Sequence, residues 1–397
     1  MRSWNLFLAV VLGGLLLALA GCGDSKPAEK AQAPAAPAAE APAAPAVEAP
    51  VAPAVEAPAV APAEPGKTLK VGFVYVGPVG DAGWSYAHDQ GRQAVQALGY
   101  VETSYVESVA EGPDAERVIR NMARKGFDMV FATSFGYMDA MLKVAQEFPG
   151  QAFLHCSGFK TAPNMSNYFG RMYQARYLTG LVAGSMSKSG KIGYVAAMQI
   201  PEVIRGINAF TLGVRKVNPK AEVRVVWTNT WYDPALEKDA AVSLLDAGCD
   251  IITQHQDSPG PQEAAAERGA YSIGYNSDMS KFAPKAHLTA AVWNWAPFYK
   301  LQVQQLRLGQ WQGGQSIWWG IEHEMVDIAP FGPMVPENVR QMVMAERQKL
   351  LDGNDDVFLG PIRGQNGEVL APEGQKIPDA DLLGMKVFVE GVVGSIN

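Results

Sequence analysis

The chain has 397 residues, 48% of them hydrophobic and 18% charged, and a net charge of −7. That balance is ordinary globular material, and no run of Lys or Arg is dense enough to track a phosphate backbone, so nucleic acid is not an expected partner. Single cores stop growing near ~250–300 residues, so the length argues against one undivided core.

The N-terminus carries an address rather than a fold. Arg2 supplies a positive end and 6–20 form a leucine-rich apolar run ending in small residues, the pattern of a secretion signal. The run falls short of the ~20 apolar residues a bilayer requires and is followed at once by Gly23, Asp24 and Ser25. Leu19-Ala20-Gly21-Cys22 resembles a bacterial lipobox, which makes 1–21 a lipoprotein signal peptide and Cys22 the lipidation site. Several acyl chains on one residue hold firmly where a single chain binds only marginally. From Cys22 to Gly66 the chain is mostly Ala, Pro, Val and Glu, with Ala46-Val47-Glu48-Ala49-Pro50 repeated as Ala54-Val55-Glu56-Ala57-Pro58. Proline at this frequency favours an extended spacer, reaching at most ~120 Å at ~3.1 Å per residue. The expected location is the cell envelope, lipid-anchored to a membrane, with the globular domain in the periplasm or otherwise outside the cytoplasmic membrane. With Cys22 consumed, Cys156 and Cys249 remain, and no bridge between them is expected.

After Gly66 short β-branched runs alternate with longer amphipathic stretches, the signature of βα units and an α/β fold with parallel sheets. Strands are predicted over 69–76, 101–106, 129–133 and 152–155, and helices over 84–98, 114–125, 138–148 and 172–188. Ser189-Gly190 stops the last of these. A second series follows: strands at 191–196, 222–227, 251–254 and 271–274, and helices at 202–217 and 234–247, the latter opened by Asp233 as cap with Pro234 first. Two such series predict a two-lobed domain over 67–397, with lobe 1 at about 67–185 plus 290–325 and lobe 2 at about 189–289 plus 326–397. Ligands of open parallel sheets sit beyond the carboxyl ends of the strands. The loops there hold Asp81, Trp84, Phe135, Tyr137, Asp257 and Asp278, and further on Trp293. A flat aromatic ligand with hydrogen-bonding edges suits that set.

Weaker readings accompany these. Glu202 opens a helix, where a carboxylate complements the dipole, so capping is its expected role. One of Phe135 and Tyr137 should point into the core, and only one of Trp293 and Trp295 should face a cleft if that segment is extended; Trp293 is the choice. The five histidines lack metal-ligand spacing, and no GxSxG elbow, Walker loop or Cys–His motif occurs. Neither catalytic residue, cofactor nor metal is therefore expected, and the chain reads as a monomer that is not an enzyme.

GFVYVGPVGDAGWSYAHDQGR, TSFGYMDAM, ITQHQDS, GYNSDM and IWWG, in this order, resemble the basic-membrane-protein family of substrate-binding lipoproteins that serve ABC importers of purine nucleosides and related compounds. The resemblance spans 67–397 and implies a type I periplasmic-binding-protein fold: two Rossmann-like lobes closing on a ligand cleft, with an ABC permease and ATPase as partners. It implies ligand contacts at Asp81, Gly83, Trp84 and Ser85, at Phe135-Gly136-Tyr137, and at Ser277-Asp278. Where nucleoside binders of the family carry a lysine for the ribose, this chain has the segment ending in Trp293, a departure that favours a free purine base such as adenine over a nucleoside. Asn208 or Asn276 could then pair with an adenine edge through the amide. Another small solute, a sugar or an amide, and a ligand-sensing lipoprotein are the alternatives.

Overall fold

The computed structural model describes Val60 and residues 66–396; the signal segment, Cys22 and nearly all of the spacer lie outside the described residues. The first series comprises β1 (Leu69–Val74), α1 (Trp84–Gln96), β2 (Val101–Val106), α2 (Pro113–Arg124), β3 (Met129–Ala132), α3 (Met138–Glu147), β4 (Ala152–Cys156) and β5 (Met165–Gly170). The second comprises α4 (Met172–Met186), β6 (Lys191–Ala196), α5 (Pro201–Val217), β7 (Glu222–Trp227), α6 (Pro234–Asp246), β8 (Ile251–His255), α7 (Gly260–Glu267), β9 (Tyr271–Asn276) and β10 (His287–Trp293). The chain then passes through α8 (Ala296–Arg307), β11 (Ser316–Trp319), β12 (Val326–Ile328) and α9 (Glu337–Leu351) before a long C-terminal tail. Helix ends follow local chemistry: Asp233 accepts from Ala235 N at 3.1 Å and Leu236 N at 3.0 Å, capping α6 as its sequence demands.

One sheet runs β11-β5-β4-β3-β1-β2, all parallel. The other runs β12-β10-β9-β8-β6-β7 and ends on the short strand Val392–Val393; only β12 against β10 is antiparallel. Helices cover both faces, so central strands such as β3 and β4 are buried at every residue, which is why they read as unbroken apolar runs. The chain passes between lobes three times: from β5 into α4, from β10 into α8, which packs on α1, and from β11 to β12.

These crossings correct the expected boundaries. Helix α4 belongs with the second lobe rather than the first, because Gly180, Gly184 and Gly213 let it lie directly on α5. A Cβ at Gly180 would stand 2.2 Å from Phe210 O, and one at Gly213 2.2 Å from Tyr177 O. Likewise β10 lies wholly in the second sheet, so the return crossing comes after Trp293 and not at 290. Cys156 and Cys249 are buried and free. Among the described residues no helix is long and apolar enough to cross a membrane.

Candidate ligand-binding site

The carboxyl ends of the two sheets face each other across a cavity of about 360 Å³, mouth included. The first lobe lines it with Val76 after β1, Trp84 opening α1, Ser134 and Phe135 after β3, and Ser157 after β4. The second contributes Glu202 in the first turn of α5, Trp231 after β7, His255 and Asp257 at the end of β8, and Tyr275 on β9. Ser157, with Ala82 and Asn276 beside the site, holds a positive φ of 64°, 62° and 68° respectively, a conformation that costs non-glycine residues energy and concentrates at functional sites.

An aromatic block fixes one wall. Trp84 donates its Nε1 hydrogen to Thr133 O at 2.6 Å, and its ring meets Trp293 and Trp295 edge-on at centroid distances of 5.6 and 5.7 Å. Those two indoles stack on each other at 4.6 Å. With its only polar atom spent, Trp84 offers the cavity apolar ring surface alone.

The opposite end is polar and close to neutral. Asp257 Oδ1 accepts from Asn276 Nδ2 at 2.9 Å, and Asn276 Oδ1 accepts in turn from Trp293 Nε1 at 2.9 Å. Asp257 Oδ2 takes no hydrogen bond among the described residues. Burial pushes the Asp257 carboxyl well above its ordinary range, and the neighbouring charges of Asp81 and Glu237 push it further. Burial likewise raises Glu202 to about 7, against the pull of Arg205 and Arg176. Glu202 Oε1 lies 3.5 Å from His255 Nε2, which is 3.2 Å from the Tyr275 hydroxyl. Burial, reinforced by Arg176 and Arg205, holds His255 well below the usual imidazole range and therefore neutral. The Arg176 guanidinium sits 3.8 Å over the Tyr275 ring, behind the cavity. A protonated Asp257 carboxyl, a Glu202 carboxyl raised to about 7 and a neutral imidazole present donors beside acceptors, a surface suited to an uncharged ligand.

The lobes touch directly beside this site. A Cβ on Gly83 would fall 2.1 Å from Asp257 O, and Ser277 Oγ donates to Ala82 O. Only glycine permits that approach.

Of the residues singled out from sequence, the fold brings Trp84, Phe135 and Asp257 together on the cavity wall. The others stand elsewhere. Asp81 accepts from the backbone N–H groups of Gly83, Ser85 and Tyr86 at 2.7, 2.9 and 2.9 Å, bracketing the start of α1; burial raises its carboxyl to about 6 against those three amides. Tyr137 is the core member of its pair, its hydroxyl donating to Val109 O at 2.5 Å. Asn208 faces away from the cavity and ties down the tail, donating to Val387 O at 2.8 Å and accepting from Val389 N at 3.0 Å. Asp278 is half-exposed and accepts from Ser280 N at 2.9 Å, a turn former. Trp293 lies behind Trp84, over Gly170, rather than facing the cavity, and reaches Asp257 only through Asn276. Trp231, His255 and Tyr275 are not singled out by the sequence, and Glu202 is expected there only as a helix-capping carboxylate. The available signal was position: each follows or ends a strand of the second sheet at its carboxyl end.

A model of the Bmp family, described as ABC transporter substrate-binding protein PnrA-like, matches residues 68–354. The chain is 48% identical over 326 residues, 82% of its length and 93% of the relative's, to a protein of Brucella abortus named as a purine-binding protein. It is 40% identical over 333 residues, 83% of its length and 82% of the relative's, to a protein of Haloferax volcanii named as a candidate ABC-transporter glucose-binding protein. Among solved structures, an ABC-transporter solute-binding protein from Conexibacter woesei superposes with a TM-score of 0.59 at 26% identity, over 72% of this chain and 97% of that one. One from Aeropyrum pernix has a TM-score of 0.62 at 19% identity, over 75% and 93%. The shared fold is the type I periplasmic-binding-protein fold.

Proposed function

Because the chain belongs to the Bmp family of PnrA-like ABC-transporter substrate-binding proteins, we propose that its cavity captures one purine base, adenine foremost, and that the closed lobes present it to the permease and ATPase of an importer. The family is one of transport proteins that hand on a solute. Capture of the solute takes place outside the cytoplasmic membrane, and Cys22 is proposed as the lipid anchor that keeps the domain there.

The observation that carries the purine reading is a buried carboxyl with one open oxygen, Asp257, at the end of an aromatic slot built by Trp84, Phe135, Trp231 and Tyr275. Stacking of a base on an aromatic face contributes about 1–3 kcal/mol and is indifferent to which base it is. Identity comes from the edge. A protonated carboxyl offers one donor beside one acceptor, which matches the ring nitrogen and exocyclic N–H of adenine. An ionised carboxylate offers two acceptors and would suit the paired N–H groups of guanine. The raised pKa of Asp257, with that of Glu202 beside it, supports the first pattern.

A sugar is the second reading, supported by the relative named for glucose, since tryptophan faces and carboxyls also hold hydroxylated rings. Isothermal titration of the purified protein, stripped of ligand by unfolding and refolding, against adenine, guanine, hypoxanthine, adenosine and glucose decides between them. One-to-one binding with adenine tightest is expected; glucose binding with no purine response overturns the proposal. For the anchor, Cys22→Ser is expected to move the protein from the detergent phase to the aqueous phase on fractionation, and retention in detergent overturns that part.

A further inference from the structure

Beside the base-sized cavity lies a second, larger space of about 1360 Å³, mouth included. The two share walls: Phe135, Ser157 and Glu202 line both. Its surface is mainly apolar, with Phe169, Ile200 and Ile317 facing it. Trp318 lines it too, with the guanidinium groups of Arg171 and Arg205 4.1 and 5.0 Å from its ring centroid. At its rim stand two of the most exposed large apolar side chains among the described residues, Phe159 from the first lobe at 69% and Leu383 from the second at 51%. Exposed apolar side chains gathered from opposite lobes around one mainly apolar cavity make a candidate surface for an apolar group.

The outer wall is a separate construction. Asp379, Leu383 and Gly384 lie beyond residues 68–354, the segment shared with the family model. They are pinned in place by Arg171, which pairs with Asp379 at 2.5 Å, and by Arg205 Nη1, which donates to Leu382 O at 2.7 Å. Both arginines thereby fix the tail against the hinge and the first turns of α5.

We infer that this vestibule is a second subsite, which receives an apolar ring substituent carried by the purine, so that the protein takes N-substituted adenines as well as the free base. The inference rests on the purine reading of the inner cavity. Planar base and substituent are housed on either side of the shared residues Phe135 and Glu202, with the substituent packed between Trp318 and the Phe159–Leu383 rim.

The test compares adenine with 6-benzylaminopurine and 9-benzyladenine by isothermal titration on the ligand-stripped protein and on Leu383→Trp, a rim substitution remote from the inner cavity. At least one benzyl derivative is expected to bind within about tenfold of adenine. Leu383→Trp is expected to weaken that derivative by about tenfold or more while adenine changes by less than about twofold, a result that also verifies the variant's fold. If adenine binds and both derivatives are more than about tenfold weaker, or Leu383→Trp leaves the derivative's affinity unchanged, the subsite is refuted and the purine reading stands. If none of the three binds, the purine reading falls and this inference with it.

Discussion

Replacing Asp257 separates a protonated carboxyl from a charged one, because alanine and asparagine have opposite consequences. In Asp257→Ala, the ligand loses its donor–acceptor partner, about 1–3 kcal/mol for a paired contact to a base edge. Asn276 Nδ2 also loses its 2.9 Å acceptor Asp257 Oδ1 and keeps only the 3.5 Å contact to Gln256 O, a cost borne by the free and the bound protein alike and so by stability rather than affinity. The edge contact alone therefore sets the affinity loss, about 1–3 kcal/mol or roughly 5- to 150-fold in adenine affinity. Asp257→Asn keeps the acceptor that Asn276 needs and supplies an N–H where the protonated acid has its O–H, so affinity is expected within about tenfold of the natural protein. The wild-type protein should also lose adenine affinity as pH rises and Asp257 ionises, since the carboxylate then sets a lone pair against the ring nitrogen; Asp257→Asn should lose that part of the pH dependence. Titration calorimetry at several pH values reads both. Should Asp257→Asn bind adenine as poorly as Asp257→Ala, or should the wild-type protein prefer guanine, the protonated-carboxyl argument is refuted.

Three further outcomes are expected. Gly83→Ala places a methyl group 2.1 Å from Asp257 O, so it should hold the lobes apart, and small-angle scattering should show no compaction on adding adenine; normal compaction would contradict the contact. Trp231→Ala removes a partly buried cavity wall whose side chain makes no hydrogen bond among the described residues, so adenine affinity should fall about 5- to 150-fold with little change in melting temperature; an unchanged affinity would remove Trp231 from the site. Stability should depend on pH with a definite sign. Below about pH 6.5 the buried neutral histidines His88, His155, His255 and His287 favour the folded state increasingly as pH rises, opposing the buried acids. Above about pH 6.5 the histidines are neutral folded and unfolded alike, and the acids whose folded pKa is raised decide. Their stabilisation is complete at acid pH and lost as pH climbs through the folded value, so between about pH 6.5 and 8 the ligand-free protein should lose about 1 kcal/mol through Glu202 alone, with Asp257 adding to it. Urea midpoints test this, and a rise over that interval would contradict it.

Much of the architecture was legible because it rests on local signals. The alternation from residue 69 onward, the Asp233-Pro234 helix start and the glycine loop after β1 all carry their structural meaning in a few neighbouring residues. The errors came from contacts between segments distant in sequence. The small residues of α4 were visible, yet nothing local says that Gly180 and Gly184 serve α5 rather than the first sheet. In sequence Trp293 and Trp295 read as alternating strand positions, but β10 ends at Trp293 and Trp295 starts the turn into α8, so their rings stack instead of facing opposite ways. Glu202 reads in sequence as an N-terminal carboxylate complementing a helix dipole. It does lie in the first turn of α5, but only the approach of the other lobe makes that turn a cavity wall. Asp81 shows the converse: its motif was recognised, and its oxygens are occupied by three backbone amides.

The contact between lobes at Gly83 and Asp257 and at Ala82 and Ser277 uses main-chain atoms on at least one side of each pair. Closing is therefore chemically indifferent to the side chains that choose the solute. Evolution, or an engineer, can rewrite Trp231, Phe135 or Glu202 for a different cargo while the mechanical signal that the cargo has arrived stays the same. One permease could then read many such proteins, and a pair of fluorescent dyes, one per lobe, would serve as a reusable reporter whose selectivity is set separately from its response.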